Sequence, residues 1–225
     1  MNVIEQIKEH YEKRKTESFK IWDKKTYIFS QYASFYREML YYNILKKNFN
    51  DFDNLKLLEI GAGSGYNLYF FKKIGFCSNN IFANELLEDR LKLLRDNFPE
   101  IKIFEGDALL IDDNYNETFD IVFQSTVFSS ITDLSFRIKL AEKIWNLLKY
   151  DGIILWYDFF ISNPKNVYTK PITKKEVFAL FPYAKYMKFY KTTLASPIAR
   201  RVRLAYPFFN IFPFLRTHYV IEIKK

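Results

Sequence analysis

From Asp53 onward the chain alternates between short apolar runs and stretches whose apolar side chains recur at helical spacing. The runs KLLEI (56–60), NIFANE (80–85), IKIFEGD (101–107), FDIVFQS (119–125) and GIILWYDF (152–159) predict five strands. Between them, Ser64 to Ile74, Leu87 to Asn97 and about Asp133 to Lys149 predict helices. Strands apolar on both faces belong to a parallel sheet covered on both sides, and right-handed crossovers make it a doubly wound α/β domain. Residues 3–48 predict helices, with Ile4, Ile7 and Tyr11, then Tyr32, Phe35, Met39 and Tyr42, in helical register. The aromatic stretch KTYIFSQYASFY between them reads as partly irregular. Beyond residue 160, KKEVFALF (174–181) predicts a helix capped by Thr173, and KYMKFYKTTL (185–194) alternates like a strand. SPIARRVRL (196–204) reads as a basic helix or loop, and HYVIEIKK (218–225) as a final strand, with Pro207 and Pro213 breaking the segment between them. No repeat, low-complexity tract or linker divides the chain.

The first strand runs into LLEIGAGSGY, where Gly61 and Gly63 fit a dinucleotide fingerprint but the third glycine comes one place early, at Gly65, and Tyr66 stands where that fingerprint wants glycine. Only six glycines occur in the chain, and three lie between positions 61 and 65, so this backbone turns sharply and lies close to something. A strand turning through glycines into a helix aims free N–H groups at one spot, which suits a phosphate or a carboxylate. A ligand-free tight turn is the simpler alternative. Two acids argue for a ligand. Glu85 ends the second strand about twenty residues after the loop, the distance at which an acid meets ribose hydroxyls. Asp107, in GDA (106–108) at the end of the third strand, can accept from an adenine amino group. Either acid alone reads equally as a strand-end surface group; together with the loop they mark the edge where doubly wound sheets bind ligands.

Composition narrows the setting. In 225 residues, 49% are hydrophobic and 20% aromatic, ample for a full core, yet no apolar run is long enough for a membrane span. The charged N-terminal stretch lacks a secretory signal, and the single cysteine, Cys77, excludes an intrachain disulfide; both point to a cytoplasmic protein with no cysteine-rich metal site. The net charge of +8 favours anionic partners, although many lysines lie on helix faces and read as solvated surface.

LLEIGAGSG, ANE, EGDA and LKYDGIILWYDF resemble, in order and spacing, the successive motifs of class I S-adenosylmethionine-dependent methyltransferases. The resemblance covers about Leu55 to Phe160. It implies a seven-stranded sheet whose last strand is antiparallel and inserted beside the fifth, with residues 1–50 as a helical cap on a methyltransferase domain of residues 51–225. It implies S-adenosylmethionine as cofactor and S-adenosylhomocysteine as product. The loop Gly61, Ala62, Gly63 and Gly65 would approach the methionine part, Glu59 would orient the loop or the amino group, and Glu85 with Leu86 would meet the ribose. Asp107 and Ala108 would flank the adenine, with Leu109 beside it, and Gln124 and Ser125 would border the cofactor from the fourth strand. ILWYDF, ALFP, TLASPIARR and FLRTHY further resemble a bacterial methyltransferase group associated with surface-polysaccharide or nucleotide-sugar modification.

Methyl transfer requires alignment of a nucleophile with a sulfonium carbon and, for a hydroxyl or amine, loss of a proton. No metal is needed. Topology brings the candidates to the carboxyl edge: Tyr157 and Asp158 from the fifth strand, and His218 from the start of an antiparallel last strand. His218 has the pKa of a base near neutrality; Asp158 is a base or an orienting partner of His218 or of a substrate hydroxyl. Packing roles are the alternative for both. Arg200, Arg201 and Arg216 would converge on an anionic group of a small-molecule substrate, such as a sugar diphosphate, while Arg203 reads as solvated surface. The fourth strand ends in QSTVF rather than the N/D-P-P-Y/F motif of base-methylating enzymes, which speaks against nucleic-acid bases. Tyr11, Tyr27, Tyr32 and Arg37 are candidates to close over the site, and Tyr66 either packs under the loop or borders the methionine. The expected activity is methylation of a hydroxyl on a sugar or phosphorylated metabolite; the alternatives are an RNA methyltransferase or a non-catalytic cofactor-binding protein.

Overall fold

Seven strands form one sheet: Leu57–Ile60 (β1), Ile81–Glu85 (β2), Lys102–Glu105 (β3), Phe119–Ser125 (β4), Leu148–Phe159 (β5), Tyr186–Leu194 (β6) and Arg216–Lys224 (β7). Their spatial order is β3-β2-β1-β4-β5-β7-β6. The first five are mutually parallel, and β7 runs antiparallel between β5 and β6. This computed structural model describes residues 3–18, 24–161 and 168–225. The chain order reverses between β1 and β4, so the carboxyl ends of these strands frame the crevice where such sheets bind ligands.

The helices are Val3–Ser18 (α1), Lys24–Asn48 (α2), Tyr66–Lys73 (α3), Glu88–Asn97 (α4), Leu134–Leu147 (α5), Lys174–Leu180 (α6), Ser196–Val202 (α7) and Tyr206–Phe209 (α8). One face of the sheet packs Leu58, Ile60, Val122, Ile154 and Trp156 against α5 and α6, and Ile7 of α1 joins this core. The other packs Leu57, Phe123, Leu155 and Tyr157 against α2, α3 and α4. The two N-terminal helices thus serve opposite faces. A third cluster joins Ala33 of α2 to Leu194, Ala199 and Tyr206. At the far end of α2, the buried Glu222 accepts from Lys47, Asn48, Tyr186 and Tyr190, tying the helix to β6 and β7.

Local chemistry explains where elements begin and end. Thr173 caps α6 by accepting from the Glu176 amide, and Asp133 caps α5 by accepting from Phe136. Two expectations change and one alternative is decided. The stretch KTYIFSQYASFY lies within α2 rather than in irregular chain, where Phe29, Tyr32 and Tyr36 pack on the third cluster. Strand β3 stops at Glu105, since Gly106 takes a left-handed φ of 86°, so Asp107 lies just past the strand and accepts from the Leu109 amide. The basic segment resolves into α7, ended at Arg203 by a positive φ of 46°, followed by α8. Among the described residues no helix is long and apolar enough to cross a membrane.

Candidate active site

The turn from β1 into α3 is built by glycine. Gly65, at φ 87°, precedes the helix, and a Cβ there would lie 2.4 Å from the Phe98 ring. Gly63, also left-handed, faces open space, the kind of cradle a ligand fills. The loop is pinned to β2: Ala62 donates to the Asn84 carbonyl at 2.8 Å, and Gly63 N donates to Glu85 Oε2 at 2.6 Å. Glu85 Oε1 accepts from the amides of Leu86 and Leu87. A carboxylate oxygen carries two lone pairs, so these bonds orient Glu85 while leaving one acceptor position, on Oε2, for a ribose hydroxyl. Asp107 is fixed through Oδ1 by the Leu109 amide, which leaves Oδ2 available. Gly61, Glu85, Leu86, Asp107, Ala108 and Ser125 line one cavity. Ile131, Phe136 and Leu140 form its apolar wall, and Ile4, Ile7 and Tyr11 of α1 cover it. Tyr11 is fixed there by its hydroxyl, 3.1 Å from Ser130 Oγ, and by Arg90, whose guanidinium lies 4.3 Å from the ring centroid.

On the α2 side of the loop stand an acid and a cation with unused capacity. Glu59, fully buried on β1, accepts from Asn67 through Oε1 at 2.7 Å, while its Oε2 has no partner. Burial, reinforced by Glu85, pushes its pKa up to about 8. Arg37 of α2 lies close enough to oppose that shift, but no carboxylate pairs with it among the described residues, and its buried Nε has no partner. Its guanidinium lies 4.7 Å from the centroid of Tyr157, and Tyr41 and Tyr157 hold it charged against the cost of burial. The orphaned Glu59 oxygen, the free Arg37 donor and the open face at Gly63 fit the amino-acid end of S-adenosylmethionine.

Tyr157 leads from this group to the end of the sheet. In the antiparallel β5–β7 pair, Tyr157 stands opposite Val220 and Phe159 opposite His218, so Tyr157 and His218 share a face. Their rings stack at 5.0 Å with 9° between planes. Burial, with the nearby Arg37 charge, lowers the His218 pKa to about 3, so the imidazole is neutral at physiological pH. Thr217 Oγ1 donates to the Thr193 carbonyl at 3.4 Å and lies 3.0 Å from His218 Nδ1. When Thr217 gives its one proton to that carbonyl, His218 donates through Nδ1 and Nε2 is left as an acceptor. Thr193 also meets the Tyr157 hydroxyl at 3.0 Å. Thr193 and Thr126 both adopt φ 59°, a costly conformation for a β-branched residue, and both bond Tyr157, Thr126 through its amide.

Several expectations are corrected by these positions. Asp158 pairs with Tyr219 on the opposite face from His218 and cannot orient it. Its oxygens accept from the amides of Ser129 and Phe159, and burial pushes its pKa up to about 7; it braces the loop after β4. Gln124 spends its amide on the Tyr157 carbonyl and the Val127 amide, so its side chain ties β4 to β5 instead of reaching the cofactor cavity. Arg216 donates to the carbonyls of Asn210 and Lys191 and clamps the chain ahead of β7. Arg200 and Arg201 are exposed on α7 and are not among the residues that line this cavity. Tyr66 is 54% exposed, and does not pack under the loop. Tyr32 stacks on Tyr206, within the third cluster, and Leu109 packs into the core beside the cavity. Tyr27 lies outside the described residues in respect of its side chain. Ile131, Phe136 and Arg90 were missed as wall residues; only their position after strand ends was available as a signal.

The profile of a family described as "Methyltransferase domain" matches residues 58–156. No protein of curated function matches the sequence. Among solved structures, a SAM dependent methyltransferase from Archaeoglobus fulgidus is similar with a TM-score of 0.58 at 18% identity, covering 84% of this chain and 94% of that one. An S-adenosylmethionine dependent methyltransferase from Mesorhizobium loti gives 0.57 at 12% identity, covering 80% and 95%. At these identities the likeness speaks for the fold. Residues 58–156 thus match a methyltransferase domain, within a fold shared with solved S-adenosylmethionine-dependent methyltransferases.

Proposed function

We propose that the enzyme methylates a hydroxyl of a small acceptor held against Tyr157 and His218, with the cofactor's amino-acid end clamped between Glu59 and Arg37. The observation that carries this reading is a buried acid, Glu59, and a cation, Arg37, each with an unpartnered buried atom, with Arg37 over the Tyr157 ring that stacks on His218. A zwitterion satisfies both: its ammonium meets Glu59 Oε2 and its carboxylate meets the Arg37 fork. Glu85 takes a ribose hydroxyl and Asp107 the adenine amino group. When bound, S-adenosylmethionine supplies an electrophilic methyl group on a cationic sulfur.

The protein's task is then to aim an acceptor oxygen and remove its proton. Neutral His218 presents Nε2 as an acceptor, which orients the hydroxyl lone pair. A pKa near 3 makes the imidazole a weak base for an alcohol. It is still a far stronger base than a newly methylated oxygen, so the proton passes to it late, as the C–O bond forms. The phosphorylated acceptor that the basic residues pointed to loses its support, because Arg216 is committed to backbone carbonyls and Arg200 and Arg201 do not line the cavity. The hydroxyl acceptor keeps its support from His218.

Titration with S-adenosylhomocysteine and with 5′-methylthioadenosine, which lacks the amino-acid end, tests the clamp. Arg37→Gln is expected to weaken the first about tenfold or more and leave the second unchanged, a charge-assisted bond being worth ~1.5–3 kcal/mol. Equal weakening of both would refute the clamp, and Arg37 would then belong to the helix packing.

A further inference from the structure

Between Glu176 and Glu222 the sequence contains no acidic residue and seven basic ones. Within this stretch, the chain from α7 to the start of β7 leaves large apolar side chains in solvent: Leu204 is 72% exposed, Ile211 66% and Phe214 75%. Three phenylalanines of this stretch adjoin. The Phe208 and Phe212 rings lie 5.8 Å apart, and those of Phe212 and Phe214 5.7 Å. Ile211 shares a crevice with Met39 of α2, and Phe35, one turn earlier on that helix, is also exposed. Arg200, Arg201 and Arg203 of the same stretch are also exposed.

We propose that this segment is a membrane-binding face, which seats its phenylalanines at the headgroup boundary of an anionic bilayer while the three arginines meet lipid phosphates. Exposed apolar side chains flanked by cations, in a stretch of chain with no acid, match the charge and hydration of that interface. The segment connects the end of β6 to the start of β7, the sheet edge that carries Tyr157 and His218. Docking there turns the acceptor side of the enzyme toward the membrane surface.

Co-sedimentation of the full chain with vesicles provides the test. The chain is expected to bind vesicles of phosphatidylcholine mixed with phosphatidylglycerol and to remain free of vesicles of phosphatidylcholine alone. Phe212→Ser with Phe214→Ser should lower the partition at least about tenfold, given ~1.5–3 kcal/mol for burying each ring. Arg203→Gln and raised salt should each weaken it several-fold. S-adenosylhomocysteine affinity in solution, unchanged in the double variant, certifies its fold. Absence of binding to both vesicle types would overturn the proposal. So would binding indifferent to the phenylalanine substitutions, a dimer that those substitutions dissociate in a chain that ignores vesicles, or RNA binding without vesicle binding.

Discussion

Glu59 holds its proton in the folded chain at pH values where a free glutamate has lost it, because burial and Glu85 both oppose its charge. Its pKa rises from 4.5 to about 8, so the folded state binds more protons than the unfolded one across that window. Stability of the ligand-free protein is therefore greatest below the lower value and falls as pH rises through the window. Asp158, pushed up to about 7, adds to the same trend. Denaturant titrations from pH 4 to 8 should show this loss, and Glu59→Gln should flatten its upper part. An ammonium group placed beside Glu59 reverses the preference, so cofactor binding expels a proton and S-adenosylhomocysteine affinity rises toward about pH 8. Calorimetry in buffers of different ionisation enthalpy would detect that proton, and Glu59→Gln should abolish its release. His218 makes a different prediction. Because its pKa lies near 3, kcat should show no histidine titration near neutrality, and His218→Ala should lower kcat by about tenfold or more while leaving cofactor affinity intact. Of these residues, Glu59 and His218 were legible in sequence as types at positions. Their protonation was not, since it depends on Arg37 and on burial created by elements far away in the chain.

Among the elements, the strand–loop–helix unit from β1 to α3 carries the strictest requirement. Gly65→Ala combines a left-handed backbone with a Cβ inside the Phe98 ring contact, and should destabilise the protein by about 2–5 kcal/mol. Chemical denaturation reads this directly. Helix α1 is the complementary case, a cover rather than a framework. Ile7→Ser should speed S-adenosylhomocysteine dissociation while changing global stability less than Gly65→Ala, because Ile7 contributes one wall of the cavity and touches the edge of the core. The alternation of strands and helices made the sheet readable, and the glycine cluster located the loop. The route of α1 and α2 over opposite faces was hidden, because helical spacing gives an apolar stripe and not the surface that it meets. Asp158 and His218 show the same limit: both lie at the correct sheet edge, but strand pairing places them on opposite faces.

For the whole molecule, the cofactor half and the acceptor half differ in how much the sequence disclosed. Glu85, Asp107 and the glycine loop are local to successive strand ends, so linear spacing was enough to bring them together. The arginines of the C-terminal segment shared only a region, and the fold puts them to different uses: Arg216 clamps backbone carbonyls while Arg200, Arg201 and Arg203 face solvent. The account depends most on Glu85, whose carboxylate meets the loop through Gly63 and lines the cofactor cavity. Calorimetric titration of S-adenosylhomocysteine into the wild-type chain and into Glu85→Ala, with folding of both checked by circular dichroism, tests it directly. The wild type should bind one equivalent, and the variant should bind at least about tenfold more weakly, as expected when a hydrogen bond to a charged acceptor is lost. A folded variant that binds S-adenosylhomocysteine as tightly as the wild type would contradict the assignment of this cavity to the cofactor.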